Sequence, residues 1–334
     1  MSHADGAATP APVVPAAPAS GGTGPGTFAF HRLQRTDPRV RWWRPLVIGA
    51  LAFGLTVGAL VPVVVALLVG AEIDGPAGPV DALLAVDVAD MGDPVAVGVG
   101  LALIAVGGPA VVAATALVGA RPTGLLWSVT GRVRLRWALR CAALAAVVMA
   151  ASFALDTVRL VVTGVPLDAP RLDATAWWML AVVVLLVPAQ SIAEELVFRG
   201  YLMQTLGTWV RHPAFAVVLP VPLFVLGHEY VGLAMLSIAV WALAMGWLTW
   251  RTGGLEAAAA MHVVNNLVAF GLGAVGLADL EAVDVDVPGL VVQVATTAVY
   301  VVLVEVLRRR DGIARVRVAG TPPGPPARVS SPRP

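Results

Sequence analysis

The sequence predicts an all-α fold: a polytopic transmembrane helix bundle of about eight spans with both termini cytoplasmic. Three observations predict it. Hydrophobic residues make up 58% of the 334 and charged residues 13%, well outside the soluble globular range. Uncharged apolar runs recur at close to the roughly 20 residues that cross a bilayer. Basic residues gather on alternate connections, as the positive-inside bias requires.

Residues 1 to about 27 are Ala, Pro, Gly and Ser with few large apolar side chains, so they cannot bury enough surface to offset the entropy of ordering. A disordered cytoplasmic tail is expected over 1–40. Its arginines, Arg32, Arg35, Arg39, Arg41 and Arg44, run directly into the first span without a small-residue cleavage site, so that span is expected to stay attached. Within a transmembrane domain at 41–310, spans are expected at about 45–70, 94–120, 137–158, 174–206, 213–229, 230–250, 254–278 and 287–307. The third and fifth have uncharged cores of only 15 residues, and prolines at 188, 220 and 222 predict kinks. A Pro/Arg-rich cytoplasmic tail is expected over 311–334.

With the N-terminus inside, 19 of the 22 positive residues, all arginine, fall on cytoplasmic segments, while the opposite loops carry acids such as Asp87, Asp93, Asp279 and Asp286. The segment Gly124 to Arg140 alternates Trp, Leu and Val with Arg and is expected to lie along the inner interface as an anchor. The absence of Lys and the abundance of Ala, Gly, Pro and Val suggest a GC-rich bacterial genome, hence a multi-pass protein of the bacterial plasma membrane. Cys141, the single cysteine, allows no intrachain disulfide and reads as a small core residue. His31 and His212 read as solvated.

Against this hydrocarbon background a few polar groups stand out, and charge inside a membrane segment is costly enough to mark function. On the fourth span Glu195 and Arg199 are four apart with the acid first, so they share a face and can pair. Glu194 is turned about 100° away and has no obvious partner on its own helix. A lone carboxyl in low dielectric holds its proton toward neutral pH, which makes Glu194 the better general base. Glu195 and Arg199 serve equally well as a packing pair. Phe224 and His228 share a face at the end of the fifth span. On the seventh, His262 shares a face with both Asn265 and Asn266, and an imidazole beside an amide can hold a developing oxyanion. Spacing alone does not choose between the two asparagines. Counting residues from the inner surface places His262 and Asn266 roughly 12 and 18 Å deep, Glu194 roughly 18 Å and His228 roughly 22 Å, so all could meet near mid-membrane.

Together the motifs Glu194-Glu195-x-x-x-Arg199, Phe224-x-x-x-His228 and His262-x-x-x-Asn266 resemble those of the CPBP family of intramembrane glutamic endopeptidases, the type II CAAX prenyl protease and bacteriocin-processing group. The resemblance covers roughly 174 to 275. It implies a water-filled cavity in the bundle, with Glu194 activating water together with His228, and His262 and Asn266 stabilising the oxyanion. Glu195, Arg199 and Phe224 take supporting roles, and Asn266 is preferred over Asn265. The expected activity is hydrolysis of a peptide bond without metal or cofactor. The expected partners are the bilayer and a peptide or protein substrate, membrane-anchored or lipidated ones included, with no nucleic acid.

Other readings use the same residues. Glu194, His228 and His262 could ligate zinc, although no His-Glu-x-x-His motif is present. A serine protease of the rhomboid type lacks its Gly-x-Ser-x-Gly. A transporter or proton relay would use buried Glu and His to bind ions, yet no inverted repeat is evident. A catalytically idle scaffold would bind partners through its helices or tails.

Overall fold

The computed structural model describes residues 26–320 apart from 38, 75–77, 79, 81–83, 88 and 120. Its helices are α1 (Arg44–Asp74), α2 (Pro94–Ala105), α3 (Gly107–Val118), α4 (Leu135–Val162), α5 (Ala174–Glu195), α6 (Met203–Trp209), α7 (Pro213–Val218), α8 (Val221–Leu226), α9 (Gly232–Thr252), α10 (Glu256–Ala274) and α11 (Val287–Arg310). A π-helical segment, Leu196–Leu202, joins α5 to α6, so Ala174–Trp209 runs as one span of 36 residues, and α2 with α3 forms another of 25.

Among the described residues seven stretches are long and apolar enough to cross a membrane, as an integral multi-pass protein requires. The remaining expected span, Pro213–Leu226, is a shorter apolar helix in two pieces, α7 and α8, broken where Pro220 removes a backbone donor. Pro188, by contrast, lies within an unbroken α5. Acids assigned to the outer loops start three of the helices that run toward the basic end. Asp93, Asp173 and Asp286 accept from the backbone N–H groups of Val95, Ala176 and Gly289 and satisfy donors that have no intrahelical partner.

The arginine-rich connections meet at one end of the bundle. Ser128 bridges Gly254, the N–H of Val129 donates to Gly253 O at 2.9 Å, and that of Leu255 donates to Trp127 O at 2.8 Å. Arg134 grips Glu256 through Nε and Nη2 at 2.8 and 2.6 Å and donates from Nη1 to the carbonyls of Thr252 and Ala314. At the other end Arg171 N donates to Val275 O and Val231 N to Val283 O.

These contacts correct two expectations. The stretch expected to lie on the interface as an anchor is folded into the protein: Leu125, Leu126, Ser128 and Val129 are buried, because pairing with the 253–255 turn satisfies their backbone better than headgroups would. The expected disordered tail over 1–40 falls mostly outside the described residues, and its described part is ordered. There, β1 (Thr27–Ala29) pairs antiparallel with β2 (Val316–Val318), and a 3-10 turn, Phe30–Thr36, packs against α6. His31, read as solvated, is buried and donates from Nε2 to Arg211 O at 3.1 Å. Arg32 and Arg35 reach the carbonyls of Val210 and Thr208. Three basic side chains thus cap the C-terminal end of α6, where carbonyls lack intrahelical donors. Gly207 makes this possible, since a Cβ there would sit 1.7 Å from His31 O. His212 is exposed, as read.

Toward the middle, α5 packs against α2, α3 and α10, and α10 against α4, α5 and α9. The crossing of α3 over α5 is close because Gly108 lies against Ala193, where an added Cβ would meet Ala193 Cα at 3.0 Å. On the periphery, α1 packs mainly on α3 and leaves Val61, Val63, Val64, Val65 and Leu68 exposed, an apolar face suited to lipid. The central helices, α5 and α10, carry the polar residues.

Candidate active site

Antiparallel packing of α5 on α10 brings two pairs of residues from one helix onto two residues of the other. Glu194 and Glu195 meet His262; one turn away, Gln190 and Ser191 meet Asn266. Each set is spaced four residues apart on its own helix, so the rungs align.

His262 is 3% exposed and lies between the two acids. Its Nδ1 is 2.9 Å from Glu195 Oε1, and its Nε2 is 3.2 Å from Glu194 Oε2. The carboxylate accepts, so Nδ1 carries the proton that faces Glu195. Glu195 Oε1 also accepts from Arg199 Nη1 at 2.8 Å, the ion pair that the i,i+4 spacing predicts. The π-helical segment begins right after Glu195 and contains Arg199, and such segments recur at functional sites. Arg199 is further compensated by aromatic faces: its Cζ lies 4.4 Å from the Phe224 ring centroid and 5.5 Å from that of Trp241.

Glu194 differs from its neighbour. The Glu195 side chain is sealed at 1% exposure, while that of Glu194 retains 12%. The premise that Glu194 is a lone carboxyl is corrected, since its partner His262 comes from another helix and is invisible to counting along one. Its Oε2 nevertheless accepts no hydrogen bond within the described protein. Each acid thus keeps a buried Oε2 without a hydrogen bond from the described protein, and that of Glu194 lies beside an imidazole nitrogen.

His228 sits at the end of α8, where its Nδ1 donates to Phe224 O at 2.8 Å. A carbonyl can only accept, so in the neutral ring Nε2 keeps its lone pair and can act as a base. Phe224 joins the two histidines, with ring centroids 4.7 Å from His228 and 6.2 Å from His262. Trp241 of α9 closes the cluster edge-on, 4.9 Å from His262.

Asn266 Nδ2 lies 3.3 Å from both Gln190 Oε1 and Ser191 Oγ, and its Oδ1 accepts from Asn265 Nδ2 at 3.1 Å. The two asparagines are therefore distinct: Asn266 faces α5, and Asn265 holds Asn266. His262 and Asn266 do not aim their donors at one point in this arrangement, because both His262 nitrogens face carboxylates. Gln190, Ser191 and Trp241 were not among the residues singled out from sequence. The first two carry a signal, being polar residues one turn before Glu194 and Glu195 in an apolar helix; Trp241 carries none, since a tryptophan in an apolar span reads as packing. Among the described residues, no group of three or more His, Cys, Asp or Glu is placed to hold a metal ion.

Residues 174–268 match the family model described as type II CAAX prenyl endopeptidase Rce1-like. This core is similar to that family. The match runs from the start of α5 into α10 and contains Glu194, Glu195, Arg199, Phe224, His228, His262 and Asn266. A Bacillus subtilis (strain 168) protein, YyaK, described as uncharacterized, is 37% identical over 98 residues, which is 27% of this chain and 32% of that protein. The chain thus spans about a third of the length of the curated relative it matches. No solved structure matches. Outside the matched core lie α1 to α4 and α11; α2, α3 and α4 pack on α5 or α10, and α11 packs on α9.

Proposed function

We propose that the protein is an intramembrane endopeptidase in which a glutamate-activated water hydrolyses a peptide bond. One observation carries this reading: Glu194, whose side chain keeps 12% exposure, holds a buried carboxylate oxygen without a hydrogen bond 3.2 Å from the imidazole of His262, inside a segment that matches a family of prenyl endopeptidases. In the proposed reaction Glu194 and His228 Nε2 draw the proton from a water whose oxygen attacks the carbonyl carbon. The carbonyl oxygen takes up the electron pair and is stabilised by donors from His262 and Asn266. For this His262 must be the imidazolium, carrying a proton on Nε2 as well as on Nδ1, and must turn that Nε2–H toward the oxyanion once Glu194 has taken the proton of the water. The C–N bond then breaks, the electron pair returns to carbon, and the proton held by Glu194 passes to the departing amine. Glu195 and Arg199 hold the His262 ring in place, and Phe224 positions His228. No step calls on a metal or cofactor.

The substrate would be a peptide or protein, membrane-anchored or lipidated, cleaved in a bacterial plasma membrane, with the core at about 174–275 as the unit that cleaves it. The test compares peptide termini in the membrane proteome of cells carrying wild type, Glu194→Gln or Glu195→Gln at matched expression. Termini that appear with wild type and vanish with Glu194→Gln support the reading. Identical termini in all three strains would overturn it in favour of an ion relay or an idle scaffold.

A further inference from the structure

Away from the α5–α10 site, Arg121 holds a side-chain nitrogen without an acceptor among the described residues. Arg121 follows α3 at the basic end of the bundle. Its Nη1 is shut off from solvent, and no described group accepts from it. A buried guanidinium nitrogen without an acceptor costs free energy that native proteins seldom leave uncompensated. Burial lowers the Arg121 pKa to about 10, so the group is still charged at neutral pH.

Arg121 lines a pocket with Arg44 and Ile48 from the start of α1, and with Gln34 and Asp37 from the segment before it. Asp37 would be the natural acceptor, yet it is occupied. Its Oδ1 accepts from the backbone N–H of Arg39 at 2.8 Å and from Arg39 Nε at 3.2 Å, and its Oδ2 accepts from Nη2 at 3.3 Å. Arg44 spends one contact, at 3.4 Å, on Arg39 O. Two arginines therefore line one pocket whose carboxylate is already paired, leaving an excess of positive charge.

The position of the pocket narrows the ligand. Arg44 opens the first span, Gly119 ends the α2–α3 span, and Trp42 and Trp43 stand exposed beside them, as aromatic residues do at the level of lipid headgroups. Basic pockets between spans on the cytoplasmic side suit phosphate headgroups, and arginine matches phosphate oxygens in pairs.

We propose that Arg121 and Arg44 form a binding site for a phosphate anion at the basic end of the bundle. The phosphate can belong to a lipid headgroup or be free, and the test separates the two. Full-length protein, delipidated in detergent, is titrated with phosphatidylglycerol or with inorganic phosphate, and binding is read by native mass spectrometry and by the melting temperature. The expected result is a rise in the wild-type melting temperature and retained ligand, with retention at least tenfold weaker in Arg121→Gln, weakened less in Arg44→Gln, and unchanged in Arg136→Gln, an exposed arginine of the same end. A response to phosphatidylglycerol alone assigns the site to lipid; an equal response to inorganic phosphate assigns it to the free anion. Without ligand, Arg121→Gln is expected to melt no lower than wild type, because it removes an uncompensated charge. A lower melting point, or ligand retention equal to wild type in Arg121→Gln, would overturn the proposal.

Discussion

Arg199 touches a carboxylate on one side and two aromatic faces on the other, and each contact serves the same need of holding a cation far from water. Replacing it by Met keeps most of the volume and leaves Glu195 as a buried anion with only His262 beside it. The expected cost is about 3 kcal/mol or more. Glu195→Gln together with Arg199→Met should recover part of that cost, and thermal unfolding of the four proteins of a double-mutant cycle measures the coupling. Gln190 and Ser191 act differently, since their contacts orient Asn266 instead of balancing charge. Gln190→Leu is therefore expected to lower the rate of peptide cleavage about tenfold through misplacement of the Asn266 amide, with little change in melting temperature. The Glu195–Arg199 pair was legible in the sequence because i,i+4 spacing on a helix is a fact of one element. The partner of Glu194 was not legible, because it depends on which helix packs against which.

Among the elements, the span from Ala174 to Trp209 carries both acids of the candidate site and the end on which the N-terminal segment docks. Its middle is pressed against α3 at Gly108, and its end receives the N-terminal segment at Gly207. Gly108→Val should push α3 away from Ala193 and displace the adjacent carboxylates, so stability and cleavage should fall together; melting temperature and product yield check this. Gly207→Ala acts at the other end. It should release the 27–36 segment while the α5–α10 contacts persist, which hydrogen exchange on the full-length protein would report as lost protection confined to that segment. Apolar runs showed where most helices lie, and the prolines showed where the short span breaks. They could not show that the stretch around residue 32 docks with Phe30, His31, Leu33 and Gln34 buried. Arg32 is half-buried and Arg35 exposed, but both lie along the helix end and donate to carbonyls there.

For the molecule as a whole, acidity should be felt first at the basic end. Burial holds the pKa of His31 below the ordinary histidine value, with the hydrogen bond to Arg211 O only partly opposing it. The unfolded segment therefore binds the proton more tightly than the docked one. The stability His31 contributes is fully present above about pH 6.5 and is lost as the pH falls below that value toward the depressed one. Exchange protection of residues 27–36 should decline over that window, and the decline should be reduced in His31→Gln. The alternation of arginine-rich and acid-rich connections already implied a chain passing back and forth between two unlike ends. The pairing of those connections with one another, as in Arg134 with Glu256, follows from side-chain geometry that charge counting does not contain.

The pairing of Thr27–Ala29 with Val316–Val318 also sets a timetable. On the ribosome the first of these strands is made nearly 300 residues before its complement. Every span must therefore be inserted before the ends can join, and closure of the basic end becomes a late, post-insertional event that chains truncated before residue 316 could not complete.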